Sequence, residues 1–263
     1  MAKARKFTNF LLEEEGPIAI FTSNRPEVMN ALDVISHQEI IDFVAYYEQA
    51  EHLRVAIITG AGEKAFVAGA DITTVRAAKG IPSLIGGKMR KGLSMLENCH
   101  KPIIAAINGY AFGGGLELAL ACDIRIVSDN ALMALPETDL GILPGTGGTQ
   151  RLPRIVGVGV AKDMILGGRR LNAQEAVQFG LAYKSVPVEQ LMDETKKIAG
   201  KMALRGPVAL HLAKKTINQS LFTDLKTGIE YESLSLAVLF ESEDKAEGTT
   251  AFLEKRKPQF SGK

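Results

Sequence analysis

The sequence predicts an α/β protein: one main domain followed by a smaller, wholly helical appendage. Three observations lead there. A short aliphatic run, a glycine-containing turn and a helix follow one another three times, although the residues do not repeat at a fixed period. Beyond Val188 only helical spacing remains. The chain's 263 residues can bury one large core and lie near the size at which single cores stop growing.

Ile18–Ser23 alternates and stops at Asn24-Arg25-Pro26, the pattern of a strand entering a loop. From Asp33, a capping residue type, Ile40, Ile41, Phe43, Val44 and Tyr47 recur at helical spacing. Residues 54–59 read as a buried strand closed by Gly60-Ala61-Gly62. Residues 65–72 read as a turn leading into a helix around Val75, and a second helix covers residues 84–96. After the central stretch come short strands at 124–127 and 132–135, and then a loop from Pro136-Glu137 to Gly148. Helices start at Thr149, Val160 and Ala173, the last stopped by Gly180. A last strand covers 183–186, and long helices lie near 224–240 and 243–255.

The central stretch, residues 101–123, organises the rest. Ile103–Ile107 is short, aliphatic and bounded by Pro102 and Asn108-Gly109, which suits a strand covered on both faces. Gly113, Gly114 and Gly115 then leave the backbone bare where a helix begins. The first N–H groups of a helix lack intrahelical partners, so this turn suits a developing negative charge, and an oxyanion is the chemistry it predicts. Glu117 follows among Leu116, Leu118, Ala119 and Leu120. A first-turn glutamate can serve the helix dipole alone. Its apolar surroundings favour a functional role, because a buried carboxylate needs a partner or a reaction to keep it there.

Composition excludes several classes. Lysine and arginine number 31 against 30 acidic residues, a net charge of +1, which gives no bias toward nucleic acid or anionic membrane and points to a small-molecule partner. The basic clusters Lys88-Met89-Arg90-Lys91 and Lys255-Arg256-Lys257 are short and read as solvated faces. Cys99 and Cys122 flank apolar segments and read as reduced core thiols. Basic residues 1–6 meet too little apolar sequence for a leader, and the longest apolar region is broken by Asn108, Glu117 and Asp123, so the expected place is the cytoplasm. The histidines, His37, His52, His100 and His211, show no metal-ligand spacing, so no metal is expected. No dinucleotide glycine fingerprint, phosphate loop or serine-nucleophile elbow is complete. Two carboxylates remain, Glu117 and Glu137, and such a pair can divide acid and base roles when its surroundings separate the protonation states. Taken alone, Glu137 reads as a loop glutamate. The segment containing Ile229, Leu234, Leu236, Ala237, Leu239 and Phe240 is apolar around most of its helix; burial against another subunit and an internal helical layer both fit.

Several segments, in order, resemble the enoyl-CoA hydratase (crotonase) family. They are Arg25-Pro26-Glu27-Val28-Met29-Asn30-Ala31-Leu32, Lys64-Ala65-Phe66-Val67-Ala68-Gly69-Ala70-Asp71-Ile72, residues 105–122, Pro136-Glu137, Pro144-Gly145-Thr146-Gly147-Gly148-Thr149-Gln150-Arg151-Leu152 and residues 252–260. The resemblance covers nearly the whole chain. It implies a spiral of repeated strand-strand-helix units over residues 1–196 and a helical trimerisation region over 197–263, assembled as a homotrimer or as a homohexamer built from two trimers. The implied reaction is reversible syn addition of water to a 2-enoyl-CoA, giving a 3-hydroxyacyl-CoA, as in β-oxidation or related acyl-CoA metabolism. No cofactor is implied, since CoA is part of the substrate.

By the same resemblance the backbone N–H groups of Ala70 and Gly114 form the oxyanion hole. Glu117 is the base acting on water, and protonated Glu137 delivers hydrogen to the α-carbon. CoA lies along Val28, Ala68, Asp71, Ile72 and Gly145, with Lys257 and Phe260 near its nucleotide, from the same or a neighbouring subunit. The acyl-pocket wall falls in residues 75–96. Some family members carry lysine where this chain has Glu27, which reads here as a solvated loop charge. Competing readings are an enoyl-CoA isomerase, a hydratase of branched substrates and, in another class, a non-catalytic RNA binder. Isomerases often keep only one of the two glutamates, so the pair favours hydration.

Overall fold

The computed structural model describes residues 7–80 and 87–263; residues 1–6, and residues 81–86 at the start of the helix expected over 84–96, lie outside it. The chain opens with β1 (Phe10–Glu15), which turns at Gly16 into antiparallel β2 (Ile18–Ser23). A short 3-10 turn at Pro26–Val28 carries exposed Glu27 and leads to α1 (Val34–Gln49), whose first turn Asp33 caps through Ser36 N–H. Next come β3 (Val55–Gly60), β4 (Ala65–Val67), α2 (Ile72–Ala77) and α3 (Lys88–Asn98). The pattern repeats with β5 (Ile103–Ile107), β6 (Tyr110–Phe112) and α4 (Gly114–Leu120), then β7 (Ile124–Ser128) and β8 (Leu132–Ala134). After a 3-10 turn at Glu137–Leu140 come α5 (Gly148–Val156), α6 (Val158–Leu166), β9 (Leu171–Asn172), α7 (Ala173–Gln178) and β10 (Lys184–Val186). The chain ends in α8 (Leu191–Ala203), α9 (Pro207–Gln219), α10 (Leu225–Phe240) and α11 (Glu243–Leu253).

Two sheets result. One has the order β1-β2-β3-β5-β7-β10 and is parallel except for β1; the other has the order β4-β6-β8-β9, with only the β8–β9 pair antiparallel. Successive pairs β3–β4, β5–β6 and β7–β8 each place one strand in each sheet before the chain moves on to helices, which is the expected strand-strand-helix spiral. Period-two alternation divides the six-stranded sheet between two cores. Ala19, Phe21, Ala56, Ile58, Ala105 and Ile107 face the larger core, and Ile18, Ile20, Val55, Ile57, Ile104 and Ala106 face the smaller. Both faces are therefore covered, as the unbroken aliphatic run of β5 requires.

Four strands go unrecognised in the sequence, among them the two-residue β9. β1 ends in Glu13-Glu14-Glu15, which shows no alternation; it is an edge strand, anchored by buried Phe10 stacked on Phe21 at 4.2 Å. β4 and β6 are three-residue strands inside segments that read as turns. The expected division at 196/197 falls within α8, whose Leu191 and Ala199 pack on the smaller core. Asp123 fastens α9 to the core, accepting from Ile103 N–H (2.7 Å) and pairing with Lys214 (2.9 Å). Among the described residues no helix is long and apolar enough to cross a membrane.

Candidate active site

The bare turn before α4 is where the candidate residues meet. Gly113 adopts φ +51°, a conformation that side-chain-bearing residues disfavour, and its N–H donates to Ala134 O (2.9 Å). Gly115 lies hard against β4: a Cβ there would fall 2.0 Å from Val67 O. Gly114 is the first residue of α4, so its N–H has no partner within the helix. Ala70 lies alongside, its nitrogen 3.8 Å from where a Cβ on Gly114 would stand. The Leu32–Ala70 bridge uses Leu32 N–H to Gly69 O (2.9 Å) and Asp71 N–H to Leu32 O (2.8 Å), which leaves the Ala70 N–H uninvolved. Two backbone donors from different turns of the spiral thus stand side by side.

The loop that holds Ala70 is braced by side chains whose roles the sequence reading left unassigned. Asn30 Nδ2 donates to Ala61 O (2.9 Å) and Ala65 O (2.8 Å), and Asn30 Oδ1 accepts from Arg25 N–H (2.9 Å). The Arg25 guanidinium bridges Asp33 (3.2 Å) and Asp71 (3.6 Å), the N-caps of α1 and α2. Motif position alone pointed to these residues; what they hold emerges only in three dimensions.

Glu117 is buried, with 3% of its surface exposed. Its Oε1 accepts from Thr146 N–H (2.7 Å) and Gly148 N–H (2.8 Å), and its Oε2 contacts the Thr146 hydroxyl. Backbone N–H groups can only donate, so Oε1 is an acceptor here. The sequence motif that contains Thr146 and Gly148 gave no hint that both face Glu117. Glu137, at the start of its 3-10 turn, is held differently. Its Oε1 lies 3.2 Å from where a Cβ on Gly113 would stand, so the glycine leaves room for it. Its Oε2 is buried without a hydrogen-bond partner among the described residues. Burial pushes the Glu137 carboxyl up to about 7; a backbone hydrogen bond opposes the rise, and the charge of nearby Glu117 adds to it. Two neighbouring carboxyls thus have opposite surroundings, one gripped by donors and one desolvated.

The expected CoA-binding residues divide into two groups. Val28 and Ile72 are exposed, and Leu140, Ile142 and Leu143 near Glu137 are exposed as well. Ala68 N–H donates to Met29 O (3.1 Å), which ties the Ala68–Ile72 segment to the Val28 turn. The Asp71 carboxylate caps α2 through Thr73 N–H (3.0 Å) and meets Arg25, so its visible work is internal. Gly145 lies on the loop that supplies Thr146. Lys257 and Phe260 lie elsewhere in the chain: Phe260 packs against Gly248 and Gly206, and Lys257 is exposed on the tail beyond α11. Residues 81–86 of the expected acyl-pocket wall lie outside the described residues.

Residues 13–263 match the family described as enoyl-CoA hydratase/isomerase. The chain is 43% identical to the short-chain-enoyl-CoA hydratase of Clostridium acetobutylicum, over 96% of this chain and 97% of that protein. It is also 43% identical to the crotonyl-CoA hydratase of Syntrophomonas wolfei, over 98% and 99%. Its fold is similar to the crystal structure of an enoyl-CoA hydratase from Bacillus anthracis, with a TM-score of 0.93 and 41% identity, covering 97% of this chain and all of that one.

Proposed function

The chain belongs to the enoyl-CoA hydratase/isomerase family and is an enoyl-CoA hydratase, a hydro-lyase; from its geometry we propose that Glu117 and Glu137 move the protons of the reaction. One observation carries the assignment. Donors converge on Glu117, while Glu137 sits desolvated and is pushed up to about 7, surroundings that support the reading of Glu117 as base and Glu137 as acid.

In hydration, Glu117 takes a proton from water as the water oxygen bonds to the β-carbon of the 2-enoyl thioester. The electron pair of the double bond moves toward the carbonyl, and the thioester oxygen gains negative charge. The Ala70 and Gly114 N–H groups stabilise that charge, each donor being worth about 2.7–4 kcal/mol by comparison with other oxyanion holes. Glu137 then gives its proton to the α-carbon. Glu117 ends protonated and Glu137 ionised, so a proton must return to Glu137 and one must leave Glu117 before the next turnover. Run backward, the same steps dehydrate a 3-hydroxyacyl-CoA. Protein groups supply each step, and on this reading the only CoA required is that of the substrate.

The exposed apolar residues Val28, Ile72, Leu140, Ile142 and Leu143 suit the rim of an acyl-CoA cleft. We assign the protein to acyl-CoA metabolism of the β-oxidation type, in the cytoplasm, as a trimer or a hexamer of two trimers. Glu117→Gln and Glu137→Gln test the proton roles. Each should lower turnover of crotonyl-CoA hydration by about 10²–10⁴, the range for a lost general acid or base, with little change in KM. Near-parental hydration by either variant would remove that residue from the mechanism. Faster double-bond migration in a 3-enoyl-CoA than hydration of a 2-enoyl-CoA by the parent enzyme would favour the isomerase reading.

A further inference from the structure

Glu117 owes its donors to a loop that has no regular structure of its own. Thr146 and Gly148 lie just before and at the start of α5, and Gly147 between them adopts φ +117°. The N-cap of α5 offers no side-chain hydrogen bond, so something else must hold this turn. Arg151, one turn into α5, folds back over it. Its Nη1 donates to Thr146 O (2.9 Å) and fills the space beside Gly147, 1.9 Å from where a Cβ there would stand. Thr146 is therefore pinned at both ends, its N–H to Glu117 and its carbonyl to Arg151.

The other side of the guanidinium is also fixed. Arg151 Nε and Nη2 donate to the two carboxylate oxygens of Glu97 on α3, at 3.0 and 2.7 Å. This planar, two-bond pairing sets the orientation of the guanidinium as well as its position, which a lysine could not do. Glu97 in turn has its carbonyl oxygen bonded by Asn218 Nδ2 of α9 (3.1 Å). Both charged groups are largely enclosed, with 16% of the Arg151 side chain and 33% of that of Glu97 exposed.

We propose that Arg151, held by Glu97, is a positioning residue for hydration: it sets the Glu117 carboxylate by fixing the Thr146–Gly148 turn. The proposal rests on the reading of Glu117 as the base. Arg151 acts through the turn and needs no contact with substrate, so turnover should suffer where binding does not.

The test uses Arg151→Lys and Glu97→Gln in the full-length enzyme, alone and combined with Glu117→Gln. Folding is first checked by circular dichroism and sedimentation. Each single variant should lower kcat for crotonyl-CoA hydration by about 10- to 100-fold, the scale expected when a reacting group is displaced by a fraction of an ångström to an ångström, with KM changed less than about threefold. Neither change should lower the residual rate of Glu117→Gln any further, because there is no longer a carboxylate base to position. Parental kcat in folded single variants overturns the proposal. An equal fold-loss in the Glu117→Gln background also overturns it, as that is the mark of a general structural role. If Arg151→Lys does not fold, Glu97→Gln decides. Near-parental hydration by Glu117→Gln itself sinks the base assignment, and this inference with it; a crippled Glu117→Gln beside normal Arg151→Lys and Glu97→Gln sinks this inference alone.

Discussion

Glu137 has a consequence that can be measured without any substitution. Burial, with help from the charge of Glu117, pushes its carboxyl up to about 7 from the ordinary 4.5 of a glutamate. As the general acid of hydration it works protonated, so kcat/KM for a 2-enoyl-CoA should fall as pH rises through about 7. Dehydration of a 3-hydroxyacyl-CoA starts from the form with that proton on Glu117 instead, which carries the same number of protons, so its kcat/KM should fall over the same range. The inflection belongs to the interacting pair and not to Glu137 alone. Stability follows the same sign: the folded state prefers the protonated carboxyl, so this contribution is full below about 4.5 and is lost as pH rises through about 7. Glu137→Gln should flatten that part of the stability profile. A hydration profile flat from pH 6 to 8 in the parent would contradict the acid assignment. At this scale the sequence was readable for Glu117, whose apolar neighbours mark a buried carboxylate, and unreadable for Glu137, whose desolvation comes from residues distant in the chain. It was equally silent about Thr146, Gly148 and Arg151, since nothing local says that the turn from Thr146 to Gly148 faces Glu117.

Elements carry the site because α4 is seated directly on β4. With a Cβ on Gly115 only 2.0 Å from Val67 O, any side chain there must drive the helix off the strand, and Glu117 moves with it. Gly115→Ala should therefore lower thermal stability by an overpacking cost of about 1–3 kcal/mol and reduce kcat in the same variant. Thermal unfolding and steady-state kinetics measure both, and a fully active variant of parental stability would show that α4 has more freedom than this packing allows. Element type was legible wherever burial covers one face or two, as in α1, β3 and β5, because a core imprints its periodicity on the chain. It was illegible in β4 and β6, whose three residues are too few to show a period and which are strands only because the neighbouring turn of the spiral pairs with them. β1 was missed for a different reason: an edge strand has one free side, and its glutamates guard that side at the expense of pattern.

Across the whole molecule, two apolar clusters are buried by the sheets and the helices packed on them, while the C-terminal helices carry a run of exposed apolar residues. α10 runs for 16 residues without one that is buried, and Leu234, Val238 and Phe240 on it are exposed. Phe222 before it and Phe252 and Leu253 on α11 are exposed as well, with Phe252 at 83%. The internal helical layer that the sequence allowed does not cover α10 among the described residues, and burial against another subunit is the expectation left to test. Isolated exposed apolar residues need no explanation, but a run of them along adjoining helices does. The parent protein should sediment as a trimer or hexamer at micromolar concentration, and Leu234→Asp, which places a charge in that surface, should shift it toward monomer. The same helices reach the site's supports: α9 is fixed to the core through Lys214–Asp123 and, through Asn218, to the backbone of Glu97, which holds Arg151. Dissociation should therefore lower turnover as well as size, and the two can be followed together by measuring specific activity across a dilution series that sedimentation shows to span the transition. A parent protein that is a stable monomer with full activity would refute the assembly. A dissociated variant with undiminished activity would leave the assembly standing and break its link to the catalytic turn.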